Sequence, residues 1–318
     1  MRTGATFERL ADELDPPGPV PGTVRHRVLS GIMVAQSRKP ARRWLLATAS
    51  VTAAATAAVV TGSFVVQIGS TVSDQAPPSG AAIELLSRAA AFVRQETVPA
   101  PKHTQFVFIE IKSWSPASGR DGRATLIRTW RSVDGDADGL VRRDEPGPDG
   151  QTEFPLPGCR DGRAAQWTGD GRLDTTRTRP CEPEPGYRAD LPTSPDGMLA
   201  YLRSRPGGTR DDRGVFAAAI DLLQGTYLPA AARAATFLAV AKVPGVTVRP
   251  DVTDAAGRAG VAIGQGTGTL RQELIFAPGT GQFLGVQLSM TGASSTAAVR
   301  PTALLRMTIV DKAGEVPA

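Results

Sequence analysis

The stretch SPDGMLAYLRSRPGGTRDDRGVFAAAIDLLQGTYLPAAARAATFLAVAKVPG, residues 194–245, decides the fold class. Its spacing predicts three helices in series. Ser194 is placed to cap a helix over Pro195 to Arg205, with proline at the first helical position. A second helix runs from Val215 to Leu223, and a third from Pro229 to Lys242, where Pro244 and Gly245 stop it. Their faces are rich in Ala, and Leu199, Leu202, Phe216, Ile220, Leu223, Phe237 and Val240 recur at the spacing of a buried stripe. On both sides of this block the period changes to that of strands. Downstream, short strands are expected over Val246 to Arg249, Gly260 to Gly264, Thr269 to Phe276, Phe283 to Met290 and Leu304 to Val310, with Pro278, Gly279, Thr280 and Gly281 forming a hairpin turn. Upstream, Gln105 to Trp114 and Ala124 to Val133 alternate as an antiparallel pair joined around Arg120, Asp121 and Gly122. Strands, a helical insertion and more strands imply an α+β domain in which one curved antiparallel sheet wraps around helices.

Before the first strand, Ala81 to Gln95 reads as an amphipathic helix ending ahead of Pro99 and Pro101. Between the strand pair and the helical block, Gly135 to Pro192 is dominated by Gly, Pro, Asp and Arg, so turns and irregular chain are expected. The tripeptide Asp-Gly-Arg recurs there unevenly, at 121, 161 and 170, which marks turns and not repeats. Within it, Asp134, Asp136, Asp138, Gly139, Val141 and Glu145 match the positions of a twelve-residue calcium loop. A strand before the motif, Pro146 after it, and Arg142 and Arg143 inside it favour a solvated Asp/Gly turn instead. The Gly-rich run 264–268 precedes a strand and opens no helix, so it reads as a loop without phosphate chemistry.

Between Arg43 and Asp74 the chain has no charged residue, and Trp44 to Val66 is a run of 23 apolar and small side chains. As a helix it rises about 34 Å, enough for a hydrocarbon core of roughly 30 Å. Arg38, Lys39, Arg42 and Arg43 flank it on one side, whereas the next basic residue is Arg88, so the N-terminus is expected on the cytoplasmic side. A cleaved export signal with the Arg42-Arg43 pair is the competing reading. The long basic segment and the long apolar run favour an anchor with lipid around 44–66. The only two cysteines, Cys159 and Cys181, both follow the span, which fits export and a single disulfide.

The chain of 318 residues carries a net charge of +5, of which +4 lies in residues 1–43. The remainder is almost balanced, so a nucleic-acid interface built on the high isoelectric point has no support beyond the N-terminus. Two His and two Cys also leave no metal cluster or His-based triad to assemble, and no catalytic, cofactor or metal residue is assigned: the chain reads as no enzyme. His103 stands beside Lys102 with no partner placed by any motif. Residues 1–43 form two short helical stretches around the breaker run 16–22. The second, from Thr23 to Gln36, puts Val24, Val28, Leu29, Ile32 and Met33 on one stripe. So short a segment builds no core alone; the stripe packs on its sister helix, lies on the membrane surface, or docks on a partner protein.

The clusters PDGMLAYLRS, LLQGTYLPAAARAATFLAVAKVPGV, DAAGRAGVAI and QELIFAPGTGQFLG, with the Trp-bearing strand pair and the basic N-terminus before one span, resemble an actinobacterial family. Its members are single-pass membrane proteins of uncharacterised function, often encoded beside sigma factors of the extracytoplasmic-function type. The resemblance implies an anti-sigma-like regulator: a cytoplasmic helical segment (1–43) that holds a sigma factor, a transmembrane helix (44–66), a linker (67–80) and an extracytoplasmic sensor domain (81–318) with its own ligand. It also implies a curved sheet similar to those of periplasmic lipoprotein carriers and sensors. The chain departs from the best-known anti-sigma pattern in having only His26 and no Cys before the span, so any sigma-factor contact is metal-free. The alternative is an anchored lipid- or peptide-binding protein with no regulatory role.

Overall fold

The computed structural model describes residues 76–97, 100–115, 123–145, 150–205, 212–265, 270–291 and 297–317. The segment 1–43 with Val24, Val28, Leu29, Ile32 and Met33, the apolar run 44–66 and most of the linker lie outside the described residues. Among those described, no helix is long and apolar enough to cross a membrane.

The architecture is α+β, as the helical block between strands implies. Helix α1 (Gly80–Arg94) is capped by Ser79, whose hydroxyl accepts from the Ala82 amide. Helix α2 (Pro195–Ser204) starts at the expected cap, the Ser194 hydroxyl accepting from the Gly197 amide. Helices α3 (Asp212–Gly225) and α4 (Ala230–Val240) follow. All seven apolar residues expected to be buried in this block are buried. The strands are β1 (Phe106–Ser115), β2 (Arg123–Ser132), β3 (Gly139–Asp144), β4 (Gln151–Leu156), β5 (Arg163–Trp167), β6 (Leu173–Pro180), β7 (Thr247–Thr253), β8 (Ala259–Gln265), β9 (Leu270–Phe276), β10 (Phe283–Thr291) and β11 (Ala297–Val310). Nine form one antiparallel sheet in the order β4-β3-β2-β1-β11-β10-β9-β8-β7, and β5 with β6 makes a separate hairpin.

The expectation of irregular chain over Gly135 to Pro192 is corrected: four strands lie there. β3 and β4 extend the sheet beyond β2, with Leu140 opposite Trp130 and Pro155 opposite Leu140. Their polar composition hides them because each is held by pairing with a neighbour and not by its own apolar content. The final strand is also longer than expected, beginning at Ala297. The Asp-Gly steps are turns, as read. Arg160 and Arg163 exchange both backbone hydrogen bonds across Asp161 and Gly162, which take φ of 51° and 72°. That is the twist a two-residue hairpin turn needs, and Gly supplies it without strain.

All four helices cover one face of the sheet over β8 to β10. Ile263, Leu274, Phe276 and Val286 point into a core shared with α1 to α4, where Phe237 meets Phe276 edge-on at 5.4 Å. The turn at 278–281 locks this layer in place, since Gly281 lies directly on the Ala89 backbone and Arg88 donates to the Pro278 carbonyl. On the outer face, Phe108, Trp130 and Val310 form a small core, and the C-terminal segment reaches it: the Trp130 indole donates to the Glu315 carbonyl. Both sheet edges carry proline, Pro155 in β4 and Pro250 in β7, which blunts pairing with other chains. Register irregularities in the β10 and β11 pairings kink both strands. Arg258, paired with buried Asp254, donates to the Leu284 and Leu304 carbonyls at those kinks and pins the two strands together.

Cys159 and Cys181 form the expected disulfide, with Cα atoms 5.9 Å apart. It ties the base of the β5–β6 hairpin, whose Cys159 amide also donates to Gly135 in the β2–β3 turn. Replacing both cysteines with serine is expected to cost about 3 kcal/mol, measured as a shift of the urea midpoint. A loss below about 1 kcal/mol would mean that the backbone bonds hold the hairpin without the crosslink.

Candidate functional site

The helical layer stops short of β1, β2 and β3. On this half, the helix-bearing face presents cross-strand rows fixed by register. One row runs Phe154, Val141, Thr129, Ile109 and Met307 from β4 to β11. The next holds Thr152, Arg143, Ile127, Ile111 and Leu304. Val107, Ile109, Val133 and Val141 are buried, the first three against the Tyr187 and Tyr227 rings that stand 6.1 Å apart at the edge of the helical layer. Ile111, Ile127, Leu304, Met307 and Ile309 stay half-buried, so this part of the face is an apolar floor with no layer on top among the described residues. At its far edge Trp167 of the hairpin packs on Phe154 at 6.0 Å, and the Arg143 guanidinium lies over the same Phe154 ring. Trp167 is 39% exposed, which is unusual for so large an apolar side chain.

The floor and its rim are suited to hold an apolar chain or a flat side chain. Burial pushes the Tyr227 hydroxyl above its usual range, against the opposing pull of Arg233, so the phenol at the rim is a neutral hydrogen-bond donor at physiological pH. A depression of about 460 Å³ on the outer face, lined by Lys112, Ala124, Leu126, Asp144, Glu145 and Leu305, is shallow. The ion pairs from Arg128 to Glu110 and Asp144 cross its neighbourhood as ordinary surface chemistry.

The calcium-loop match resolves into a turn followed by a strand. Asp136 accepts from the Ser132 hydroxyl, while Asp138 accepts from the Gly158 amide and pairs with Arg160. Gly139 to Asp144 is β3, so the last positions of the twelve never wrap towards the first. Gly139 is glycine for another reason: a Cβ there would run into the Trp130 carbonyl. No group of three or more metal-ligating side chains comes together among the described residues. The half-open floor is not legible in the sequence, because Arg143 and Phe154 are brought together by the β3–β4 pairing and Trp167 by packing of the separate hairpin on Phe154.

No protein-family model matches the chain, and no curated protein matches it. Among solved structures, it is similar to a chain of the Pseudomonas aeruginosa MucA/MucB complex, with 14% identity and a TM-score of 0.27 over 75% of this chain and 59% of that one. It is likewise similar to a crystal structure of MucB, with 15% identity and a TM-score of 0.27 over 76% of this chain and 61% of that one. The chain thus spans about three fifths of the length of each. Neither likeness assigns a function.

Proposed function

We propose that this protein is a single-pass membrane regulator of the anti-sigma kind. In this reading residues 1–43 hold a sigma factor on the cytoplasmic side through Val24, Val28, Leu29, Ile32 and Met33, residues 44–66 cross the membrane, and the α+β fold after Ser79 is an extracytoplasmic sensor. The observation that carries it is the half-open apolar floor over β1, β2, β3 and β11: a fold whose helices cover only half of one sheet face keeps the other half for a ligand or partner. The disulfide and the basic flank of the apolar run support the same topology. No residue is given a chemical step.

The test is co-purification of the full-length protein from membranes of its native cell. Recovery of an extracytoplasmic-function sigma factor, lost in the Leu29→Asp/Ile32→Asp variant at equal membrane abundance, is the expected result. Membrane insertion without any sigma factor would overturn the regulator and leave the anchored lipid- or peptide-binding protein, whose floor is then its whole function.

A further inference from the structure

Charge on the uncovered half of the sheet is sorted by face. The acidic residues of β1, β2, β3, β4 and β11 are Glu110, Asp144 and Glu153. The register puts all of them on the outer face, where Glu153, Arg142, Arg128 and Glu110 stand in one cross-strand row. Each is already paired, Glu110 and Asp144 with Arg128 and Glu153 with Arg142. No acid of these strands faces the floor. Two arginines do, and they have no such partner. Arg143 stands in the row of Ile127, Ile111 and Leu304, and Arg300 lies further along β11 on the same face, just before Thr302. Both are half-buried, each has a buried Nε without a hydrogen bond, and neither makes an ion pair among the described residues. The Phe154 ring under Arg143 supplies no counter-charge. A half-buried cation left in this state favours an anion that comes to meet it.

The floor is one helix wide. It is walled by the Trp167–Phe154 contact on the β4 side and by the Tyr187 and Tyr227 rings on the side of the helical layer. Between them β3, β2, β1 and β11 span about 14 Å at ordinary strand spacing, against about 10–12 Å for a helix with its side chains. An extended segment laid here would set its backbone N–H and C=O groups on apolar side chains, because the hydrogen bonds of these strands are spent within the sheet. A helix arrives with its backbone already paired. By strand spacing and rise, Arg143 and Arg300 are roughly 20 Å apart, the length of about 13 helical residues and too far for one anionic headgroup to meet both.

We propose that the floor docks an amphipathic helix of another protein, whose apolar stripe lies on Ile111, Ile127 and Leu304 and whose acidic flanks pair with Arg143 and Arg300. Such a helix extends the layer that α1 to α4 begin and covers the half of the face they leave open. Charge selects against the occupants this chain could itself supply. The amphipathic stretch from Thr23 to Gln36 carries Arg25 and Arg27 and no acid, and the floor of a second copy brings the same arginines. The inference rests on the reading of the floor as the binding surface of the outer domain and is independent of what residues 1–43 hold.

Fluorescence anisotropy with the full chain in phosphatidylcholine nanodiscs tests it, with empty nanodiscs as background. The probes are two labelled helical peptides of about 18 residues with the same leucine stripe, one flanked by Glu and one by Lys, and cis-parinaric acid as an anionic lipid. Saturable binding of the Glu peptide, about tenfold tighter than the Lys peptide, is expected. Arg143→Glu should weaken the Glu peptide about tenfold and strengthen its Lys twin, a reversal that a damaged fold does not produce. Ile127→Asp, with its circular dichroism unchanged, should weaken both peptides. Equal affinity for the two peptides, or a preference unchanged in Arg143→Glu, overturns the proposal. Binding of parinaric acid with neither peptide overturns the helix and keeps the floor as a binding surface, whereas binding of no probe overturns both.

Discussion

Trp130→Ala is expected to lower the stability of the sheet and its helices by about 3–5 kcal/mol, the largest single effect among these residues. Its indole is fully buried on the outer face of β2, where no helix covers the sheet. The ring is held by Phe108 with centroids 5.3 Å apart, by the Arg142 guanidinium at 5.2 Å, and by the hydrogen bond from its Nε1 to the Glu315 carbonyl. Truncation removes this area, opens a cavity, and leaves the Glu315 carbonyl without its donor. Because the C-terminal segment closes over the ring, Trp130→Phe should cost roughly 1–2 kcal/mol, the hydrogen bond and part of the packing. For a fold of this size the alanine variant should melt on the order of 10 °C lower in a thermal scan. A decrease of less than about 3 °C would show that the 311–317 segment collapses into the space and that this small core contributes little.

The second large effect concerns Glu273, a charged side chain with no exposure at all. It sits on the outer face of β9 and accepts from Arg249, Arg271 and Gln287. Gly264 opposite leaves the room that its side chain needs. The partners differ in one respect that decides the outcome: the Arg249 and Arg271 side chains are 44% and 26% exposed, and either reaches water by a change of rotamer. Glu273 has no such route. Removing both arginines, as Arg249→Met/Arg271→Met, strands a buried carboxylate and is expected to cost about 3–5 kcal/mol at neutral pH. Glu273→Met removes the buried charge and frees two arginines to solvate, so it should cost less than half as much.

The pH dependence separates the two variants. Burial pushes the Glu273 carboxyl up, but the hydrogen bonds and charges of Arg249 and Arg271 outweigh it and hold the group below its ordinary range. A carboxyl lowered on folding contributes stability that is present above its unfolded value and is lost as pH falls through the folded one, so the wild type should lose this share only below the usual carboxylate range. In the double variant burial is opposed only by the neutral Gln287 hydrogen bond, and the direction reverses. Glu273 then takes up a proton on folding, and the deficit should shrink as pH falls towards 5. Urea midpoints of both proteins at pH 7 and 5 read this directly. A deficit that grows on acidification would show that Glu273 is not the buried charge responsible.

Much of this fold is written locally in the sequence. Ser194 caps α2, Pro244 and Gly245 stop the helical block, and Asp161-Gly162 and Gly281 turn the chain where positive φ is required. Each is a matter of a few neighbouring residues, their propensities and their hydrogen bonds, and the same holds for the apolar stripe that buries Leu202, Phe216 and Phe237. The disulfide reading of Cys159 and Cys181 needed only their number and position, and the structure pairs them. What the tertiary structure alone decided is non-local. β3 and β4 carry Arg142, Arg143, Glu153 and Pro155, and they are strands because β2 offers them a paired edge. Glu273 is buried because Arg249, 24 residues away, closes over it. Trp130 is buried because a segment 185 residues further on returns to cover it. The open floor belongs to this second class: burial arises from which surfaces meet, and no local spacing encodes that meeting.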